Sequence, residues 1–582
     1  MAARLVVPLA FFLAVFLVFL DWVASPGSLL AQSSGGSPGD GLQFHILSVR
    51  IDETRRPVAT CQITDDAGHP LSPADLDGSP RFTLVRLHVD EETGLLSEWV
   101  SYIVSTVSGQ PYSKDGQQIQ PALASATQAG TDPPGTVADQ GGGIFTYTFT
   151  TVLPEDFDRN AIHRIAGQAS RGDDKWVGNP TLDFIPSGAP VVESRDLIET
   201  AACNQCHDPL EFHGGNRREV KYCVTCHTSQ TIDPETGHSL DFKELIHKIH
   251  RGAELPSVEA GQPYFIVGRN QGVEDFSTVR FPQDIRNCVK CHGKAFPYEP
   301  IPSNAGCTSC HDNVNANTGV NHPPGPYADT TCFECHAPQG REFDISVSGA
   351  HTIPELSQQA PGVNFTIVAV KDADDGDDRV DPGHHPRVIF NIKDHAGHVI
   401  EPSTLASLQL ILSGPTTDFY LQDYNGDGVQ TPFIQQDARG AVATGDGNYS
   451  VTFSLPVPHD AEGSYAIGLE GYKCATLERL DQAKGGRNCT SGNTEYNEIR
   501  DAGVSIVRYF AVTDSEPVPR RTVTDNTKCA ACHDTFSKNF SVHGGTRNNP
   551  GEYCVVCHNP GLDANPPAPP AGESWLPPTS RS

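Results

Sequence analysis

From residue 203 to residue 227 the chain reads Cys203-Asn-Gln-Cys-His-Asp-Pro-Leu-Glu-Phe-His-Gly-Gly-Asn-Arg-Arg-Glu-Val-Lys-Tyr-Cys-Val-Thr-Cys-His227. Two Cys-x-x-Cys-His motifs, Cys203/Cys206/His207 and Cys223/Cys226/His227, bracket a His-Gly-Gly at His213. The same order returns about 330 residues later, as Cys529/Cys532/His533, then His543-Gly544-Gly545, then Cys554/Cys557/His558. Three more motifs lie between: Cys288/Cys291/His292, Cys307/Cys310/His311 and Cys332/Cys335/His336. The chain has 17 Cys, and all but Cys61, Cys474 and Cys489 fall into these motifs.

The spacing has a chemical reason. Two thiols separated by two residues can form thioethers with both vinyl groups of a haem, and the His that follows turns back to ligate the iron. Zinc knuckles and disulfides also use Cys-x-x-Cys, but neither needs a His directly after the second Cys, and every motif here has one. The expectation is seven covalent haem c groups. Met1 is the only methionine, so no iron is expected to have a Met sixth ligand, and haems with His on both sides are expected at low potentials because Met ligation raises them.

Covalent haem attachment implies export, and the N-terminus agrees. Arg4 precedes an apolar run from Leu5 to Leu20, then a small-residue region to Ala31, which reads as a signal peptide over residues 1–31 followed by a linker, 32–41. An uncleaved anchor is the alternative, although Asp21 ends the run short of a full span. No Cys near Ala31 could carry a lipid. The formal charge of −30 argues against nucleic acid as a partner.

The motifs alternate with motif-free stretches. None precedes Cys203, five fall between residues 203 and 336, none between 337 and 528, and two follow. Leu42 to Val49, Arg81 to Val89, Ile144 to Val152, Val363 to Val370, Arg387 to Ile392, Leu408 to Leu412 and Tyr449 to Leu455 are β-branched or aromatic runs between Gly, Pro, Asp and Asn turns, the pattern of strands. Pro57-Val-Ala-Thr-Cys-Gln-Ile-Thr-Asp-Asp-Ala-Gly-His69 matches Pro386-Arg-Val-Ile-Phe-Asn-Ile-Lys-Asp-His-Ala-Gly-His398, so a β-plus-haem unit is duplicated. The expected fold is multidomain: antiparallel β domains, split-barrel or Greek-key-like, alternate with loop- and short-helix-rich multihaem domains. The boundaries are β domain I at 42–190, pentahaem domain II at 191–352, β domain III at 353–515 and partial haem domain IV at 516–582 with two motifs. After His558 comes a Pro-rich tail where the first copy continues with three motifs, so the second copy is expected to be a shortened or truncated unit.

Candidate sixth ligands stand at fixed places relative to the motifs. His213 and His543 lie in His-Gly-Gly, where glycine lets backbone approach a porphyrin. His247 and His250 lie in Phe242-Lys-Glu-Leu-Ile-His-Lys-Ile-His-Arg251, whose period is helical, so three-residue spacing puts both rings on one face. His322 and His351 complete five for the first five motifs, with His238 as a spare. His384, His385, His395 and His398 read as surface residues. The second copy supplies one candidate, His543, for two motifs, which leaves an open sixth position expected at one iron, that of His558 being the candidate. Asp423-Tyr-Asn425-Gly-Asp427-Gly428 has the first half of a calcium loop but Ile434 at its twelfth place, a weak calcium candidate. Cys474 and Cys489 are expected to pair in an exported protein, and Cys61, opposite Phe390 in the repeat, to be a buried free thiol.

The order β domain, pentahaem cluster, β domain, haem cluster, together with Phe212-His-Gly-Gly-Asn-Arg217, Tyr222-Cys-Val-Thr-Cys-His227 and Ile246-His-Lys-Ile-His-Arg-Gly252, resembles the OmcA/MtrC family of outer-surface decahaem cytochromes. The resemblance implies bis-His haems in a continuous wire, a cell-surface or outer-membrane location with the periplasm as alternative, and a periplasmic or outer-membrane electron donor such as a porin–cytochrome complex. It implies extracellular acceptors, metal oxides or flavin-type shuttles. Seven motifs stand where the family has ten, and the lipoprotein Cys of several members is missing. The rival function is a multihaem reductase of a small oxyanion such as nitrite, which needs one open iron.

Overall fold

The computed structural model describes residues 39–89, 96–192, 194–293, 303–327, 329–481, 486–533, 543 and 546–559. The expected signal peptide, most of the linker and the Pro-rich tail lie outside them.

Each motif-free stretch folds as two antiparallel sheets packed face to face, with no closed barrel among the described residues. In the first, Gln43–Ile51, Pro57–Thr64, Ile144–Thr148 and Thr136–Gly141 pair in that order, and the facing sheet pairs Trp176–Gly178, His163–Arg171, Arg81–Val89 and Leu96–Ser101. The second repeats this: Asn364–Asp372, Pro386–Lys393, Asn448–Thr452 and Val442–Gly445 face Ile434–Asp437, Ser407–Ser413, Ser464–Thr476 and Glu498–Ala502. Even the irregularity recurs, with a register shift between Ile46 and Ser48 in one copy and between Ile367 and Ala369 in the other. The duplicated Pro57 and Pro386 stretches are equivalent strands.

Alternation of side chains along these strands builds the cores. Phe44, Phe82, Phe145, Tyr147 and Ile165 fill the first, and Phe365, Phe390, Leu410, Phe453 and Ile467 the second. Cys61 is fully buried in the first core, where burial pushes its thiol up to about 12. The strongest sequence repeat, Asp-x-Ala-Gly-His, is the turn that follows each of these strands. Asp65 accepts from the His69 amide at 2.8 Å and faces its Nδ1 at 2.9 Å, and Asp394 does the same for His398 at 2.8 and 3.0 Å.

Two long strands escape the sequence pattern, His163–Arg171 and Ser464–Thr476. Glycines interrupt them, and glycine weakens strand propensity. The structure shows what they do: a Cβ on Gly468 would lie 2.6 Å from the Tyr553 ring, so the gap in the strand admits a haem-domain side chain. Cys474 and Cys489 form a disulfide with Cα atoms 5.6 Å apart.

The sheets seat the motif regions. In the first copy Tyr222 is fully buried, Thr83 and Thr225 hydroxyls meet at 2.8 Å, and Val224 packs on Val85, Leu87 and Trp99. An ion-pair chain runs from Asp183 through Arg164 and Asp196 to Lys221. In the second copy Tyr553, Val556 and Cys557 pack on Ile411, Phe419 and Ala466. Each sandwich thus fixes the second motif of its pair. Among the described residues no helix is long and apolar enough to cross a membrane.

Candidate metal centres

Each motif is a single helical turn. The His amide donates to the carbonyl of the first Cys at 2.9 Å in Cys203–His207, 3.0 Å in Cys223–His227 and Cys288–His292, 2.9 Å in Cys307–His311 and Cys332–His336, and 2.8 Å in Cys554–His558. The seventh, Cys529–His533, ends the helix Asn526–His533. A turn of this kind puts residues i, i+3 and i+4 on one side, so two thiols and an imidazole face the same space.

The motif thiols are not equally enclosed. Cys226 and Cys557 are buried, whereas Cys206, Cys307 and Cys335 are exposed. The turn at Cys206 is exposed from Asn204 to Asp208 but meets the second copy's first motif, whereas Cys335 makes no such contact among the described residues. Its neighbours Phe333, Glu334 and His336 are exposed with it, because no sheet seats this turn as one does for Cys226 and Cys557. The fifth motif is therefore a surface site. Its backbone is nonetheless closed like the others, with the Cys335 amide donating to the Cys332 carbonyl at 3.4 Å.

Among the described residues a second imidazole stands opposite six motif histidines. His207 faces His250 with ring centroids 6.2 Å apart, His227 faces His213 at 6.0 Å, and His292 faces His247 at 6.2 Å. His311 faces His351 at 6.3 Å, His336 faces His322 at 6.4 Å, and His558 faces His543 at 5.9 Å. Two imidazoles on opposite sides of one iron, each bonded at about 2 Å, would have centroids about 6.3 Å apart. The donor sets therefore fit a metal between each pair, and the flanking thiols fit a covalently attached porphyrin.

All six histidines singled out as sixth ligands are the six that stand in these pairs. The helix Phe242–Arg251 presents His247 and His250 to two different motifs. Asp241 caps its start by accepting from the Lys243 amide. At its end Gly252 is required, since a Cβ there would lie 2.4 Å from the Val279 carbonyl oxygen. His213 and His543 share a left-handed backbone, φ 53° and 56°, a conformation costly for a non-glycine residue that recurs in both copies. The expected open position at His558 is corrected: His543, with the same left-handed backbone as His213, puts an imidazole there. His238 is not in a pair of this kind; its ring lies 5.1 Å from Tyr264. His384 and His385 are half-buried and paired to Asp372 and Asp374, while His395 and His398 are exposed.

Hydrogen bonds at Nδ1 orient the rings. His227 donates to the Leu240 carbonyl at 3.0 Å, His250 to Ile246 at 2.9 Å, His322 to Gly325 at 2.7 Å, His336 to Ile345 at 2.9 Å, His351 to Val347 at 2.7 Å and His533 to Pro282 at 2.8 Å. A carbonyl can only accept, so Nδ1 carries the proton in these rings and Nε2 keeps its lone pair for a metal. Desolvation holds His247 neutral, down to about 4 with help from His292 and His250. His213 is also lowered to about 4, by desolvation, then Arg217 and His227.

The motifs adjoin one another. Burial first and the Cys291 thiol second push Cys203 up to about 11, and burial with Cys310 does the same for Cys288. The two copies meet at their first motifs: Cys206 Sγ lies 3.7 Å from the Ala531 carbonyl oxygen, and Cys532 Sγ 3.7 Å from that of Gln205. Sequence reasoning gave no sign of this junction, because nothing in either motif marks its exposed edge. In the Asp423 loop, the amides of Gly426 and Gly428 already occupy both Asp423 oxygens.

The paired histidines, the motif turns and the duplicated two-sheet units define a multihaem c-type cytochrome of the electron-transport class. Residues 195–298 match the family model described as outer membrane cytochrome MtrC/MtrF-like, domains II/IV. The multihaem cytochrome MtrC of Shewanella baltica (strain OS185) is 28% identical over 221 residues, 35% of this chain and 29% of that protein. The aligned part thus spans less than a third of that relative's length. The crystal structure of the outer membrane decahaem cytochrome OmcA superposes with a TM-score of 0.62 at 19% identity, covering 89% of this chain and 78% of the other. For MtrC from S. baltica OS185 the values are 0.60, 19%, 89% and 80%. The chain is thus similar to the MtrC/MtrF-type outer membrane cytochromes over residues 195–298 and shares the fold of OmcA and MtrC.

Proposed function

We propose that this protein carries electrons outside the cytoplasm through seven covalently held haem c groups, passing them at the cell surface to metal oxides or flavin-type shuttles. The observation that carries the reading is the set of six facing imidazole pairs, each spaced for one iron and each beside a Cys-x-x-Cys turn. When bound, the haem supplies a one-electron iron couple. The protein's part is to hold both thioether thiols and the motif histidine on one rigid turn, and to bring the second imidazole from a helix or loop fixed elsewhere. Nδ1–carbonyl bonds keep the rings neutral and oriented, so little reorganises when the charge at the centre changes. Adjoining motif turns give a continuous route from residue 336 through residue 203 to residue 558, and the exposed turn at Cys335 is the end of that route open to an external acceptor.

The electron donor belongs to the periplasm or outer membrane, a porin–cytochrome complex being the kind of partner that similarity to MtrC supports. At the six paired sites a second imidazole stands where nitrite would have to reach the iron, which speaks against a reductase acting there. The test is reoxidation of the dithionite-reduced holoprotein. Ferric oxide suspensions and oxidised flavin are expected to reoxidise it within one mixing experiment, and nitrite is not. Reoxidation by nitrite alone would overturn the proposal.

A further inference from the structure

Each sandwich seats its haem unit through an Arg and a Tyr that recur in both copies, Arg217 and Tyr222 in one, Arg547 and Tyr553 in the other. Their acceptor differs. In the first copy the Arg217 Nε and the Tyr222 hydroxyl donate to Gln168 Oε1 at 3.1 and 3.2 Å. In the second, Arg547 Nε donates to the two Glu470 oxygens at 3.1 and 2.8 Å, with Tyr553 beside them at 1% exposure. The strands align as Ile165-Ala-Gly-Gln168-Ala169 and Ile467-Gly-Leu-Glu470-Gly471, so one position carries an amide in one copy and a carboxylate in the other.

Seating does not explain the carboxylate, because Gln168 performs it in the first copy. Burying an ion pair is not cheaper than burying neutral groups, since both charges lose water, and Glu470 is 3% exposed. The charge does lie against the metal-site residues. Tyr553 directly precedes Cys554 and packs on the sheet together with Cys557, and Arg547 stands four residues after His543. Arg217 and Tyr222 hold the same places after His213 and before Cys223, so Gln168 and Glu470 meet equivalent groups beside the two sites.

We propose that the position held by Gln168 and Glu470 sets the relative reduction potentials of the two equivalent haem sites, Glu470 cancelling the Arg547 charge and making the His558 site harder to reduce than its twin at His227. This rests on the haem reading above. Reduction of Fe(III) to Fe(II) takes up one electron and makes the site one unit more negative, so an uncompensated guanidinium favours it and a neutral pair does not. A unit charge acting through a partly buried medium over roughly 10 Å shifts such an equilibrium roughly tenfold, which for one electron is about 59 mV. Between two equivalent sites this difference sets a direction, downhill toward the first copy. Glu219 and Asp241 also act at the first site, so the test compares variants within each site.

The experiment is a dithionite spectropotentiometric titration of fully loaded holoprotein. E470Q is expected to raise one component, roughly tenfold in its redox equilibrium, and Q168E to lower a different one. His543→Met in each background marks the His558 component, because Met ligation raises it further. Gln at position 470 copies what the first sandwich already accommodates; should E470Q not fold, Q168E carries the test alone. Full haem content with both titrations unchanged, or movement in the opposite sense, would overturn the proposal alone. A pyridine-haemochrome assay without covalent haem would overturn the haem reading and the proposal with it.

Discussion

Cys206 and Cys532 occupy the same place in the two copies and touch each other's motifs reciprocally, each sulfur 3.7 Å from the carbonyl oxygen of the residue before the other. Reciprocity of this kind, i on j′ and j on i′, is the signature of a two-fold contact, here between repeats of one chain. Once both sulfurs are thioethers the S–H donors are gone, and what persists is the proximity, held by Gln283, whose Nε2 donates to the Cys532 carbonyl at 2.8 Å. The first and second haem groups are joined at their first motifs.

That junction is open to a steric test. Ala531→Glu adds bulk and charge at the residue whose carbonyl meets Cys206 and replaces no thiol or imidazole. Haem content is expected to be unchanged, and electron redistribution between the two groups after flash reduction is expected to slow. An unaltered rate would place the route elsewhere.

Substitution of a paired histidine separates ligation from packing. His250→Met is expected to raise one potential with no added high-spin iron, and His250→Gly to add one high-spin centre in EPR, since His207 then loses its opposite ring. Identical spectra for both variants would remove His250 from the ligand set.

Thiol counting gives an independent check. With fourteen cysteines in thioethers and Cys474–Cys489 in a disulfide, only Cys61 remains, fully buried and pushed up to about 12 by burial. Maleimide at pH 8 is expected to label no thiol in the folded holoprotein and one in denaturant. The exposed Cys206, Cys307 and Cys335 make the folded-state result decisive, since any of them left without a thioether would label at once.

Much of this was legible before the structure, because covalent chemistry imposes rigid spacing: the Cys-x-x-Cys-His turns, the His247/His250 pair and the His-Gly-Gly loops are local patterns with one physical reading. The partner of each ring was not legible. That His322 serves His336 while His351 serves His311 depends on how loops cross in space. The expectation at His558 failed for the same reason, as it counted imidazoles rather than placing them. Nor does the motif at Cys335 announce its exposure, because identical spacing serves buried and surface turns alike. The strands Ser464–Thr476 and His163–Arg171 were hidden by glycines whose purpose, admitting Tyr553 in one case, appears only when the neighbouring domain is in view.

The repeated turn makes a pH prediction. At Asp65 burial works to raise the carboxyl, but bonds from His69 and the amides of Gly39 and His69 outweigh it, leaving the group at about 2. Because the folded value lies below the unfolded one, its stabilisation is complete above about pH 4. It is lost as pH falls toward about 2. Asp65→Asn is expected to lower Tm at pH 7 and to flatten its decline over that window; parallel curves would contradict the assignment.

The most direct test of the central claim is the intact mass of the exported holoprotein combined with its EPR spectrum. The account predicts the added mass of seven covalent haems and a spectrum dominated by low-spin iron with two imidazole ligands. A polypeptide of unmodified mass, or predominantly high-spin iron despite full haem loading, would contradict it.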